Sequence, residues 1–183
     1  MMDPITKYIL EGYLFSDRNV SINLSSFESG KENKLIIIGV PGSGKTSLGR
    51  YLAKKYKVQE FISDDSWPNT KKGLLSNKKT ILEGAGFVWL VHEPKWKDIV
   101  ISKSIIFLGM SAIKAGLRAD VRDGMLPGTV KDKRHTFHFI RSNFKDFQKR
   151  LNTLRKDALR QPGIDVKEYK IPSEVNAHLT GRM

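Results

Sequence analysis

The sequence has no cysteine. That excludes disulfide staples and thiolate metal centres, and it fits a reducing compartment. Its four histidines, His92, His135, His138 and His178, lack the spacing to acids that a metal centre needs. Acidic residues are scarce: 19 Asp+Glu stand against 32 Lys+Arg, a formal net charge of +13. Such a bias attracts polyanions (nucleotide, nucleic acid, an acidic membrane) or only keeps the chain in solution. There is no apolar run of transmembrane length and no internal repeat. The start, Met1-Met2-Asp3-Pro4, lacks the basic region and apolar core of a secretion signal, so a cytoplasmic protein is expected and no membrane partner. The 183 residues suffice for one domain with a sizeable core.

Against these absences stands one dense motif. Leu35-Ile36-Ile37-Ile38 is an apolar run suited to a strand buried on both faces, and it leads into Gly39-Val40-Pro41-Gly42-Ser43-Gly44-Lys45-Thr46-Ser47. This is the pattern G-x-x-x-x-G-K-T. Gly39, Gly42 and Gly44 allow backbone N–H groups to converge on phosphate oxygens, with Pro41, Ser43 and Ser47 completing the cradle. The following helix points its positive dipole end at the same phosphates. Lys45 reaches the β- and γ-phosphates, and the Thr46 hydroxyl can ligate Mg²⁺.

The rest of the chain reads as alternating elements. A helix is expected over Lys45–Tyr56, with strands at Val58–Ile62, Thr80–Glu83 and Ser104–Leu108. Residues 66–78 read as a polar connection, and Phe87–Trp96 carries no firm assignment. Ser111 caps a helix over 112–122, and Asp123–Gly128 is turn chemistry. Phe137, Ile140, Phe144, Phe147, Leu151, Leu154 and Ala158 step by three and four, which gives a long helix packed on a sheet. Gln161-Pro162-Gly163 ends it, before a last strand at Val166–Ile171. Strand–helix alternation implies an α/β three-layer sandwich around a five-stranded parallel sheet. The expected divisions are an N-terminal helical arm and linker over 1–33, a main domain over 34–172 with a lid near 118–136, and a tail over 173–183. Within the arm, Val20–Leu24 is a short extended piece. The arm either packs on the core or docks a protein partner.

Ligands of such sheets sit at the carboxyl ends of the strands. Glu83 ends an apolar strand and is the candidate acid for Mg²⁺, against the plainer reading of a surface acid. Asp64 and Asp65, after the second strand, are candidates for taking a proton from an acceptor hydroxyl, or else cap a turn. Arg118 and Arg122 share a helix face and could stabilise a transferring phosphoryl group, or form a solvated basic face beside Asp120 and Asp123. Trp67, Trp89 and Trp96 suit core packing better than a stacking platform.

Residues 34–172 resemble P-loop kinases of the nucleoside monophosphate kinase kind. Leu35–Thr46 resembles their first strand and loop, Phe61-Ile62-Ser63-Asp64-Asp65 their second strand and acceptor side, and Thr80–Gly84 their third strand, with Glu83 where that family more often has Asp. Ile105–Leu108 and the Arg118/Arg122 helix resemble the fourth strand and lid. Ile38–Asp65 is also similar to polynucleotide 5′-hydroxyl kinases, and Gly84-Ala85-Gly86 to the glycine cluster of shikimate-kinase-like proteins. Residues 66–78 hold lysines and no arginine, unlike the acceptor helix of adenylate kinases. The resemblance implies ATP and Mg²⁺ as cofactors, Lys45, Asp64, Asp65, Arg118 and Arg122 as catalytic residues, and Thr46 and Glu83 at the metal. The implied acceptor is a nucleotide, a nucleic-acid 5′ end or a small-molecule hydroxyl. The alternative is an ATP-binding module, non-enzymatic or slowly hydrolysing, that docks on nucleic acid or a protein assembly through its basic surface and its arm.

Overall fold

A computed structural model describes residues 18–40, 42–63, 66–109 and 136–175, without the side chains of residues 91 and 136–145. The arm up to residue 17, the helix expected over 112–122, most of the lid and the tail from 176 lie outside the described residues.

The sheet is built from β1 (Val20–Ile22), β2 (Lys34–Gly39), β3 (Glu60–Ser63), β4 (Thr80–Gly84), β5 (Ser104–Leu108) and β6 (Val166–Glu168). Their order is β3-β4-β2-β5-β1-β6. β3, β4, β2 and β5 run parallel, whereas β1 pairs antiparallel with both β5 and β6. The expected five-stranded parallel sheet is therefore a six-stranded mixed one. The added strand comes from the stretch read as arm and linker, so the line drawn at residues 33/34 runs between elements of one sheet.

The burial of β1 has a local cause. Val20, Ser21 and Ile22 are all buried. Asn23 then takes a left-handed conformation (φ 53°), which asparagine tolerates better than most residues. In that pose its backbone N–H donates to Asp165 O (2.7 Å), its Oδ1 accepts from Asp165 N (2.8 Å), and its carbonyl accepts from Ser104 Oγ (2.6 Å). One turn thus ties β1 to the residues that open β5 and β6.

The helices are α1 (Leu24–Glu28), α2 (Lys45–Lys55), α3 (Trp67–Leu75), α4 (Pro94–Ile101) and α5 (Thr136–Leu159), with a 3₁₀ helix at Gly86–His92. Successive strand side chains alternate between faces. Leu35 and Ile37, with Ile81, Ile106 and Leu108, face α1 and α2. Ile36 and Ile38, with Leu82, Ile105 and Phe107, face the layer that holds Leu74, Val88, Val100, Leu151 and Leu154. The stretch expected as a polar connection is α3. Its inner face is Thr70, Gly73 and Leu74, and a Cβ on Gly73 would lie 2.3 Å from Ile62 Cδ1. The small residue lets helix and strand approach.

Candidate functional site

β2 sits inside the sheet between β4 and β5. Its carboxyl end opens into the glycine loop, and α2 starts at Lys45 directly beyond. Gly42 and Gly44 have φ of 81° and 92°, values that only glycine adopts without strain. Gly39 is needed for space: a Cβ there would lie 2.7 Å from Ser43 Oγ and 3.0 Å from Leu108 Cβ. The loop therefore folds back tightly over the ends of β2 and β5.

Lys45 is buried, and its Nζ donates to Val40 O at 3.0 Å, across the loop. Ser43 is buried, and its Oγ has no hydrogen-bond partner among the described residues. Thr46 is exposed at the head of α2, and its Oγ1 donates to Glu83 Oε1 at 2.8 Å. Ser63, the last residue of β3, donates to the same oxygen at 2.7 Å. Glu83 is itself buried, so two hydroxyls compensate a carboxylate removed from water.

Thus Gly39, Gly42, Ser43, Gly44, Lys45, Thr46, Ser47 and Glu83 gather at the carboxyl ends of β2 and β4. Pro41, Asp64, Asp65, Arg118 and Arg122 lie outside the described residues. Ser63 was not among the expected site residues. A hydroxyl ending a strand beside two carboxylates draws no attention, and only the β3–β4 register, which sets Ser63 opposite Glu83, reveals it.

The site's residues can be tested against Mg²⁺ and a nucleotide. One hydroxyl and one carboxylate are hard oxygen donors, and Mg²⁺ commonly keeps water and phosphate oxygens for its remaining positions. No cluster of three or more His, Cys, Asp or Glu suited to a metal occurs among the described residues. The loop, with its two left-handed glycines and the dipole end of α2, fits phosphate oxygens.

One further charged group near the ligand edge, Arg155, is held within the fold. Arg155 is buried against Phe107, donates to Arg18 O at 3.2 Å, and burial pulls its pKa down to about 10, leaving it charged at neutral pH. Asn19 Oδ1 accepts from Gly109 N at 3.0 Å, tying the entry of β1 to the exit of β5. Trp67 packs edge-on against Phe87, as core packing requires. Trp89 is 45% exposed and carries the Arg150 guanidinium over its ring at 4.4 Å.

The fold, a six-stranded mostly parallel sheet between helical layers, is consistent with a P-loop NTPase-like sandwich. Over 95 residues the chain is 30% identical to a probable gluconokinase from Xenopus tropicalis. The match covers 51% of this chain and 50% of that protein, so the chain spans about half the length of the relative it matches. No family profile matches the sequence. Among the described residues no helix is long and apolar enough to cross a membrane.

Proposed function

We propose that this chain is an ATP-dependent phosphotransferase whose acceptor is a hydroxyl of a small polyhydroxylated acid. The observation that carries the reading is the convergence of Thr46 and Ser63 on one oxygen of Glu83, which sets a carboxylate between the phosphate loop and the end of β3. The partial likeness to a probable gluconokinase favours a small-molecule acceptor over a nucleotide or a nucleic-acid end.

In this reading Gly42, Ser43, Gly44 and Lys45 hold the β- and γ-phosphates. Thr46 and Glu83 would hold Mg²⁺, which offsets negative charge on the phosphates. The acceptor oxygen attacks the γ-phosphorus, the bond to the β,γ-bridging oxygen breaks, and ADP leaves. Asp64 or Asp65 takes the hydroxyl proton. Arg118 and Arg122 stabilise charge on the equatorial oxygens.

The test is transfer of labelled γ-phosphate to gluconate, other aldonic acids, neutral polyols, nucleoside monophosphates and a 5′-hydroxyl oligonucleotide. Transfer to an aldonic acid that is abolished by Lys45→Ala is the expected result. ATP binding without transfer to any of these acceptors would replace the proposal with the ATP-binding module.

A further inference from the structure

The edge of the sheet opposite the glycine loop has a composition that the phosphotransfer site does not use. The loops that feed β2, β3, β4 and β5 all lie on this edge, because those four strands are parallel. α2 starts at the ligand edge and runs back, so its last turn, Lys54 and Lys55, ends here too. The edge exposes Lys31, Lys54, Lys55, Lys57 and Lys78.

These five lysines form no ion pair among the described residues, although Lys55 lies over the Tyr56 ring at 5.3 Å. Elsewhere basic side chains do find acids: Lys71 with Glu93, Lys97 with Asp157, Arg150 with Asp146, Lys167 with Asp165. Two of the acids on the lysine edge are already engaged. Glu28 accepts from Tyr56 Oη at 2.6 Å. Glu32 accepts from the N–H groups of Asn33 (2.8 Å) and Lys34 (2.9 Å) and pairs with Lys103.

The backbone beneath is fixed. Lys34 is buried and its Nζ donates to Lys78 O, while Asn33 Nδ2 donates to Asn77 O at 3.2 Å and Lys79 N to Gln59 Oε1 at 2.8 Å. Lys34 itself is faced by Glu32 and by Glu60, which opens β3, whereas the five exposed lysines around it form no ion pair among the described residues and concentrate positive charge on this edge.

We infer that this lysine edge is a binding surface for the phosphodiester backbone of nucleic acid, read without sequence preference. Four neighbouring strands about 4.8 Å apart span about 14 Å. A duplex carries one charge per ~1.7 Å of axis with both strands counted, so about eight phosphate charges lie within that length and about four belong to one strand. The only large exposed apolar side chain next to it, among the described residues, is Leu75, whereas an interfacial membrane surface needs a broad apolar face. The inference is independent of the phosphotransfer reading.

The experiment is fluorescence anisotropy of the whole chain with labelled single- and double-stranded oligonucleotides of random sequence over a salt series. Wild type should bind with a steep salt slope. The variant Lys54→Gln/Lys55→Gln/Lys57→Asn should bind at least tenfold more weakly at 100 mM salt, with a slope shallower by about 3, since each phosphate contact contributes ~0.9. Lys78→Gln alone, which leaves α2 intact, should weaken binding by severalfold. A control with the same charge change, Lys95→Gln/Lys149→Gln/Lys156→Gln on the outer faces of α4 and α5, should change affinity less than twofold, and Lys45→Ala should leave it unchanged.

Equal losses in the two triple variants, loss of binding in Lys45→Ala, or capture by anionic vesicles without oligonucleotide binding would each overturn the inference. Phosphotransfer by the lysine-edge variant, measured in parallel, is expected to match wild type. Failure of the phosphotransfer proposal leaves the binding result intact.

Discussion

Thr46 Oγ1 donates to Glu83 Oε1 across 2.8 Å, joining the first turn of α2 to the end of β4. The bond spans two elements that the sequence separates by a strand and a helix, and in the proposed reaction it holds the carboxylate toward the cation. Glu83→Gln keeps an oxygen that can accept from Thr46 and Ser63 but removes the charge. Its melting temperature should stay close to wild type. Its transfer rate should fall roughly 10²-fold, the equivalent of about 3 kcal/mol of lost charge stabilisation. A steady-state assay at saturating ATP and Mg²⁺ checks this, and an unchanged kcat would remove Glu83 from the metal site.

The strand inside the former linker gives a stability prediction. Ile22 is fully buried beside Ile105 in the β1–β5 ladder. Ile22→Ala should cost about 2–5 kcal/mol, while Leu75→Ala, at a side chain 65% exposed, should stay within about 0.5 kcal/mol. Urea unfolding of the two variants decides it. A small effect at Ile22 would mean that β1 is dispensable, as a docking arm would be.

The sequence was most legible where one signal had a strict spacing. The glycine loop, the strand Ser104–Leu108 and the described part of the helix stripe, from Phe147 through Leu151 and Leu154 to Ala158, stand where periodicity puts them. Legibility failed where tertiary context decides. Val20-Ser21-Ile22 is too short to carry a pattern, and its burial comes from neighbours at residues 105–107 and 166–168. α3 hides its periodicity because its inner face uses Thr70 and Gly73, residues that read as polar or as a break. Ser63 became visible only when β3 paired with β4.

High pH tests the packing around α1 and α2. Burial, then the like charge of Tyr51 and Glu28, pushes the Tyr169 hydroxyl up from 10.0 to about 12. Tyr56 is raised as well, by burial and by its bond to Glu28. A folded-state pKa above the unfolded value means that the unfolded chain loses these protons first as pH rises. Stability from these groups is therefore complete below pH 10 and falls between pH 10 and 12. Lys34, lowered by burial, acts in the opposite sense, so wild type and Tyr169→Phe are to be compared at equal pH. Urea midpoints should drop less steeply above pH 10 in Tyr169→Phe, and parallel curves would show that Tyr169 ionises alike in both states.

Ser63 shares the Glu83 oxygen with Thr46, at 2.7 Å, and so fixes the carboxylate from the side of β3. It is a positioning residue in the proposed reaction, touching neither phosphate nor acceptor in this reading. A carboxylate held by Thr46 alone can rotate away from the cation. Ser63→Ala should therefore raise the Mg²⁺ concentration needed for half-maximal transfer by roughly 10-fold, the low end of the metal-affinity cost of losing an outer-shell partner. Binding of ATP in EDTA should not change, since the glycine loop and Lys45 are untouched. Ser63→Thr keeps the hydroxyl and should restore the Mg²⁺ dependence. If Ser63→Ala lowers metal-free ATP binding as much as it lowers transfer, the residue supports the loop in general and has no particular hold on Glu83.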